Sequence, residues 1–168
     1  MVAEPELLAA LLLAHLLADF YFQPFSWVQQ RNEKHAMALP LYLHALIHGV
    51  LVAVVMLIFL EKISIATVGI SAIIVAVSHF KIDVVKSYCA QNITTFVLDQ
   101  VAHIVVLVGV FLYATNQWEG ALYLIRQVNT THVAVLLAYL AVLKPSSIII
   151  KQLLSPWSSD VLAENRSP

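Results

Sequence analysis

Five long apolar stretches alternate with short polar segments along the chain. They lie at about 6–23, 37–60, 63–80, 95–114 and 130–151. Each is long enough, or nearly so, to supply the roughly 20 apolar residues that a membrane-crossing helix needs. Pro24 disfavours helix at its own position and at Gln23, so the first span is predicted to end there. The pattern predicts an all-α, polytopic membrane bundle of about five transmembrane helices.

The segments between the stretches are short and polar. Residues 24–36 combine aromatic and polar side chains and are expected to lie along the membrane interface. Residues 81–94 are expected to extend the third helix beyond the membrane. We assign residues 1–155 to a single transmembrane helical domain and residues 156–168 to a polar C-terminal tail.

Composition narrows the class of protein further. The chain has 168 residues, of which 61% are hydrophobic and only 11% are charged. Soluble domains are nearer half apolar and a quarter charged, which argues against a water-soluble globule. Nine Lys and Arg residues against ten Asp and Glu give a formal net charge of −1, which leaves no basic surface for nucleic acid. Membrane lipids are the expected partners, and association into a homo-oligomer stays open.

Each of the first four stretches carries one pair of His or Asp residues with i,i+4 spacing, at or near one of its ends. The pairs are His15/Asp19, His44/His48, His79/Asp83 and Asp99/His103. This spacing places both members of a pair on one face of a helix. Random placement of the eleven His and Asp residues would give only about 0.7 such pairs. Because ionisable residues inside a membrane span are costly, the four pairs predict a functional polar core.

The positions of the pairs bring them to one side of the membrane. They lie late in the first and third stretches and early in the second and fourth. Antiparallel helices therefore place all eight side chains at one end of a bundle core, as in metal-carboxylate bundles. Imidazole and carboxylate ligands without thiolate suit a divalent metal such as Zn, Mn or Fe. Eight candidate ligands exceed what one zinc ion takes, so the set has room for two ions.

Further roles in the same candidate site are assigned to the aspartates and to three neighbouring polar residues. Asp19, Asp83 and Asp99 are the candidate catalytic residues, because one carboxylate can act as a general base. The candidate substrate-binding residues are Gln23, Lys86 and Gln100. The amides can hydrogen-bond a substrate or orient a ligand, and the lysine can bind an anionic headgroup. Interfacial hydrogen bonding and a snorkelling lysine anchor are the alternative interpretations.

Three classes of function fit this pattern. The first is a metal-dependent intramembrane enzyme, a hydrolase with a lipid-like or phosphoester substrate, in which bound metal activates water. A di-iron lipid oxidase ranks below it. The second class is a transporter or ion pathway for protons or a divalent metal, and the third is a structural membrane subunit whose polar core only holds helices together. Clustering on one side favours a site over a through-path, since the outer halves of the first four spans are nearly all apolar.

The chain resembles the DUF3307 family of bacterial membrane proteins over about residues 10–150. The matching residues are His15, Asp19, Gln23, Trp27, Lys34, His44, His48, His79, Lys81, Asp83, Lys86, Asp99, Gln100 and His103. The resemblance implies a location in the bacterial inner membrane and a role for these polar residues. It names no reaction.

The basic residues of the short loops predict the orientation. Most of them lie in the first and third loops and toward the C-terminus: Arg31, Lys34, Lys81, Lys86, Lys144, Lys151 and Arg166. Together with the resemblance, they predict a multi-pass protein of the cell inner membrane with its N-terminus outside and its C-terminus in the cytoplasm. The four pairs would then lie toward the cytoplasmic side.

Overall fold

The computed structural model describes residues 5–59 and 63–118, and the regular elements within them are all helical. The α-helices are α1 (Pro5–Phe20), α2 (Phe25–Lys34), α3 (Leu39–Phe59), α4 (Ile65–Ser87) and α5 (Ile93–Thr115), with a short 3-10 helix at His35–Met37. The predicted all-α class is confirmed. The fifth predicted span, 130–151, and the predicted tail, 156–168, lie outside the described residues.

Three of the described helices are long and apolar enough to cross a membrane, namely α3, α4 and α5. Helix α1 has only 16 residues. At 1.5 Å per residue that is about 24 Å, short of the roughly 30 Å of a bilayer core. Helices α1 and α2 pass the same test only as a pair, which is bent by 79°. The described residues therefore hold three candidate spans, or four if the bent pair counts as one.

The bend between α1 and α2 follows from Pro24. The first helix ends at Phe20, three residues before the predicted end of the span. Pro24 takes an extended conformation, with φ −61° and ψ 148°, immediately before α2 begins. Proline has no N–H to donate and disfavours helix at the preceding residue, so the chain turns here instead of continuing α1. The polar segment predicted to lie at the interface thus leaves the direction of α1.

The four long helices form a closed bundle. Helix α1 packs against α3 and α5, and α4 also packs against both, so each long helix has two neighbours. Helix α2 lies against α3 and α4. Helix α4 continues to Ser87, so the third predicted helix does extend past residue 80. It ends before the predicted residue 94, because residues 88–92 form the turn into α5 and Asn92 caps that helix. This arrangement leaves one interior shared by all four long helices.

The interior of the bundle is apolar at one end and polar at the other. The buried apolar core comes from the early residues of α1 and α4 and the late residues of α3 and α5: Leu7, Leu11, Val52, Met56, Val68, Val75, Leu107, Val110, Phe111 and Leu112. The outer faces are also apolar, since Leu46, Ile73 and Val105 are 58%, 65% and 64% exposed. Helices that are hydrophobic on all sides are typical of membrane spans.

Helices α3 and α4 approach closely at Gly49, and this contact yields a first prediction. A Cβ atom on Gly49 would lie 3.0 Å from the backbone oxygen of Ala72 and 3.0 Å from the Cβ of Ala76. We expect Gly49→Ala to lower the free energy of unfolding by about 1–3 kcal/mol, the usual cost of overpacking. The measurement is thermal unfolding in one detergent.

The matched control for that experiment is Gly69→Ala in α4. A Cβ atom on Gly69 would meet no described atom within 4 Å. Alanine favours helix over glycine by about 0.8–1 kcal/mol, so this variant should be as stable as the native protein or slightly more stable. A Gly49→Ala protein that unfolds at the same temperature as Gly69→Ala would contradict the close packing of α3 on α4.

Candidate functional site

Four i,i+4 pairs meet at the polar end of the bundle, one on each long helix. The late residues of α1 and α4 lie beside the early residues of α3 and α5, because successive long helices alternate in direction. The structure brings together all eight residues predicted as metal ligands: His15, Asp19, His44, His48, His79, Asp83, Asp99 and His103. Seven of them are only 2–5% exposed. The side chain of Asp19 is 12% exposed.

Asp19 of α1 lies at the centre of this group. Its Oδ1 atom is 3.0 Å from His48 Nε2, 3.2 Å from His44 Nε2 and 3.7 Å from His79 Nε2. Its Oδ2 atom accepts a hydrogen bond of 3.0 Å from the amide of Gln100 in α5. The Oδ2 atom is thus fixed by an N–H donor and also lies 3.7 Å from His15 Nε2, while Oδ1 faces three imidazoles.

Asp83 of α4 shows the same division between its two oxygens. The guanidinium of Arg31 in α2 donates a hydrogen bond of 2.9 Å from Nη1 to Asp83 Oδ1. The other oxygen, Oδ2, lies 3.7 Å from His79 Nε2 and 3.9 Å from His44 Nε2. Both partners of the Arg31–Asp83 ion pair are buried, with side chains 4% and 3% exposed.

Asp99 of α5 repeats the arrangement a third time. Its Oδ2 atom accepts hydrogen bonds from the ammonium of Lys86 in α4 and, at 3.2 Å, from the amide of Gln100. Its Oδ1 atom lies 3.6 Å from His103 Nε2, one helical turn further along α5. Each of the three carboxylates therefore has one oxygen held by a donor and one turned toward histidine.

The atoms turned toward one another lack hydrogen-bond partners within the described part of the chain. They are His15 Nε2, Asp19 Oδ1, His48 Nε2, His79 Nε2, Asp83 Oδ2, Asp99 Oδ1 and His103 Nε2. His48 Nε2 and Asp19 Oδ1 approach to 3.0 Å, an ion-pair distance, without the N–H···O alignment of a hydrogen bond. Burying a polar atom without a hydrogen-bond partner costs free energy. A convergent set of such atoms therefore indicates a site for a group that accepts their lone pairs, such as a metal ion.

The spacing of these atoms fits a metal ion. Ligand atoms about 2.0–2.2 Å from one ion lie roughly 2.8–3.6 Å apart at tetrahedral or octahedral angles. The 3.0 and 3.2 Å separations at Asp19 fall in this range, and the 3.7 Å separations need only small movements. Candidate ligand atoms within 4.8 Å of one another form three overlapping groups: His15, Asp19, His48 and His79; His44, His79 and Asp83; and Asp83, Asp99 and His103.

The three predicted substrate-binding residues lie in different surroundings. Gln100 is buried and bridges the carboxylates of Asp19 and Asp99, which places it behind the candidate ligands. Lys86 is beside the cluster, in an ion pair with Asp99. Gln23 lies in the bend before α2, and no hydrogen bond among the described residues joins it to the cluster.

Arg31 belongs to the site, although in the sequence it is a basic residue of the first loop. Its guanidinium is buried against Asp83 because α2 packs on α3 and α4 at the polar end of the bundle. One signal was present in the sequence. Trp27, Arg31 and His35 follow one another at i,i+4 spacing, as do the four pairs, which would have marked an inward face of α2.

Comparison with known proteins gives the family of the chain and no activity. No curated protein and no solved structure matches it. The sequence model of the DUF3307 family, described as a protein of unknown function, matches residues 7–131. This match runs from within α1 through α5 and includes all eight residues of the cluster, and it ends before the predicted limit at about residue 150. The chain therefore belongs to the DUF3307 family, as the order of its polar residues predicts.

Proposed function

We propose that the protein is a metal-dependent intramembrane hydrolase with a lipid-like or phosphoester substrate. One observation carries the proposal: seven buried nitrogen and oxygen atoms converge without hydrogen-bond partners among the described residues. A polar network that served only to join helices would be expected to pair these atoms. Their placement at one end of the bundle, above an apolar core, supports a site rather than a path through the membrane.

The first ligand group offers the best position for an ion. It supplies three imidazoles and one carboxylate, from His15, His48, His79 and Asp19, on three different helices. Nitrogen and oxygen ligands without thiolate suit Zn, Mn or Fe. The amide of Gln100 orients the Asp19 carboxylate from behind, as outer partners of metal ligands commonly do.

The charge of the cluster favours one resident divalent ion over two. Three carboxylates carry three negative charges, and Arg31 and Lys86 contribute two positive charges, which leaves one negative charge if the histidines are neutral. One divalent ion changes this total to one positive charge, and a second would raise it to three. Because uncompensated charge inside a membrane is costly, a second ion at Asp83, Asp99 and His103 would require an anionic substrate.

The proposed reaction is the hydrolysis of an ester by an activated water. A divalent ion held by His15, Asp19, His48 and His79 would supply Lewis-acid chemistry, which acidifies a water molecule and polarises the scissile group. Our candidate to accept the proton of the attacking water is Asp99, whose Oδ1 atom lies 3.6 Å from His103 Nε2 within the cluster. For a phosphoester, the hydroxide oxygen bonds to phosphorus, the phosphorus–oxygen ester bond breaks, and the leaving alcohol takes up the proton.

The direct test of the metal site is elemental analysis of the protein purified in mild detergent without chelators. We expect about one divalent ion per chain in the native protein and a large loss in His48→Gln, because one of four ligands is removed. His35→Gln is the matched control, since His35 bonds to Ser87 outside the cluster. Its metal content should equal that of the native protein.

Two results would contradict the proposal. One is native protein that holds no divalent metal after exposure to Zn, Mn and Fe. The other is a His48→Gln protein that keeps its full metal content. Bound metal that exchanges across vesicle membranes in a transport assay would instead favour the ion pathway.

We further propose that the cluster lies on the cytoplasmic side of the bacterial inner membrane, on the basis of the basic loop residues. Cys89, which follows α4 at the polar end, is the only cysteine in the chain and is exposed. A membrane-impermeant maleimide should label it in inside-out vesicles and not in spheroplasts. A Cys89→Ser/Ala66→Cys protein, with its thiol at the opposite end of α4, should show the reverse. Labelling of Cys89 in spheroplasts would contradict this orientation.

A further inference from the structure

A groove of about 370 Å³ runs between α4 and α5 next to the candidate metal site. Its walls are largely apolar, and they include Ile82, Val85, Leu98 and Ala102. Val85 and Leu98 are 64% and 63% exposed, so the groove opens on the outer surface of the bundle. Its size falls within the ~300–1,000 Å³ typical of small-molecule sites.

The polar residues of the groove lie together and lead to the cluster. Lys86 and Asp99 both line it, and they form an ion pair with each other. The side chain of Lys86 is 17% exposed and that of Asp99 only 3%, so the ammonium is the more accessible of the two. Asp99 faces the groove on one side and His103 on the other. The groove therefore connects the outside of the bundle to the candidate ligands through a single carboxylate.

We propose that this groove binds a membrane lipid with a phosphate headgroup, and that the phosphate binds the ammonium of Lys86 in place of Asp99. Charge complementarity selects this occupant. Lys81 and Lys86 contribute two positive charges to the groove and Asp99 one negative charge, so a net positive charge lies among largely apolar walls. An alkyl chain matches the walls, which face outward from candidate membrane spans. As an assignment of the substrate class, the inference rests on the proposed function.

The exchange of partners gives the lipid a direct effect on the site. When phosphate binds Lys86, Asp99 loses its cationic partner and keeps the hydrogen bond from Gln100. The freed carboxylate can then accept a proton or contact a metal ion. We thus assign Lys86 to headgroup binding. Its ion pair with Asp99 belongs to the lipid-free state of the groove.

The single cysteine offers a test in the native protein. Cys89 lines the groove, so an occupant should slow its reaction with a thiol reagent. Dodecyl phosphate, added to protein in a neutral detergent, should slow the reaction about tenfold at ten times its Kd, since only the unoccupied fraction reacts. Dodecanol, which has the chain without the charge, and inorganic phosphate, which has the charge without the chain, should each slow it far less.

Variants separate headgroup binding from general effects of the amphiphile. Lys86→Met should abolish protection by dodecyl phosphate, and Lys86→Arg should retain it. Lys34→Met is the matched control, because Lys34 is an exposed lysine outside the groove. If Lys86→Met fails to fold, Leu98→Trp, which fills the groove from an exposed wall position, should remove the protection by itself.

Each outcome bears on the proposal. Equal protection by dodecyl phosphate and dodecanol, or full protection in Lys86→Met or in Leu98→Trp, would overturn it. The metal content of the same samples is measured separately. Protection without bound metal would contradict the hydrolase and leave the lipid groove standing, whereas bound metal without protection would contradict the groove alone.

Discussion

Asp19→Asn should empty the proposed metal site while leaving the helices assembled. The carboxylate oxygen that faces His44, His48 and His79 becomes part of a neutral amide, a far weaker metal ligand. We expect metal affinity to fall by more than the ~10–100-fold seen when only an outer partner of a ligand is changed. Asparagine keeps the size of the side chain and can still accept the hydrogen bond from Gln100, so folding should persist.

The measurement combines metal affinity with thermal unfolding in one detergent. Glu33→Gln makes the same change of carboxylate to amide on the exposed face of α2, and it should leave both quantities unchanged. Gln100→Leu removes the outer partner instead of the ligand and should give an intermediate loss of affinity. An Asp19→Asn protein that binds metal as tightly as Glu33→Gln would remove Asp19 from the ligand set.

Arg31→Met should cause the largest loss of stability among the site variants. It leaves the carboxylate of Asp83, which is 2% exposed, without its cationic partner. Breaking a buried ion pair by removing one partner costs about 3–5 kcal/mol, because the remaining charge is uncompensated. The same change should loosen α2, since the ion pair joins that helix to α4.

Two further variants test this explanation. Lys34→Met removes a positive charge from the exposed part of the same helix and should change the unfolding midpoint little. Arg31→Met/Asp83→Asn removes both charges, and it should recover much of the lost stability without restoring metal affinity. If Arg31→Met and Lys34→Met had the same unfolding midpoint, the Arg31–Asp83 ion pair would contribute nothing to the stability of the fold.

The contents of the bundle core could be predicted from the sequence because they depend on local geometry. The i,i+4 spacing of His15 and Asp19, and of the three other pairs, fixes a shared helix face whatever the packing. The order of late and early positions then determines which end of an antiparallel bundle they occupy. Pro24 marks the break between α1 and α2 for the same reason, since its ring acts on its own residue and its neighbour.

The partners of the carboxylates could not be predicted, because they depend on distances between helices. Whether Gln100 reaches Asp19, 81 positions away in the chain, depends on α5 closing the bundle against α1. The ion pair of Lys86 with Asp99 depends on how α4 packs on α5. The spacing of residues along the sequence carries no information about either contact.

Arg31 illustrates the difference between what the sequence determines and what the tertiary structure determines. In the sequence it is a basic residue of a short polar segment. Its burial follows only from the 79° bend that turns α2 onto α3 and α4. The sequence by itself determined an all-helical membrane protein with four inward-facing polar pairs at one end. Only the tertiary structure decided which oxygen of each aspartate is held and which is left to bind, because helix packing sets where the donors lie.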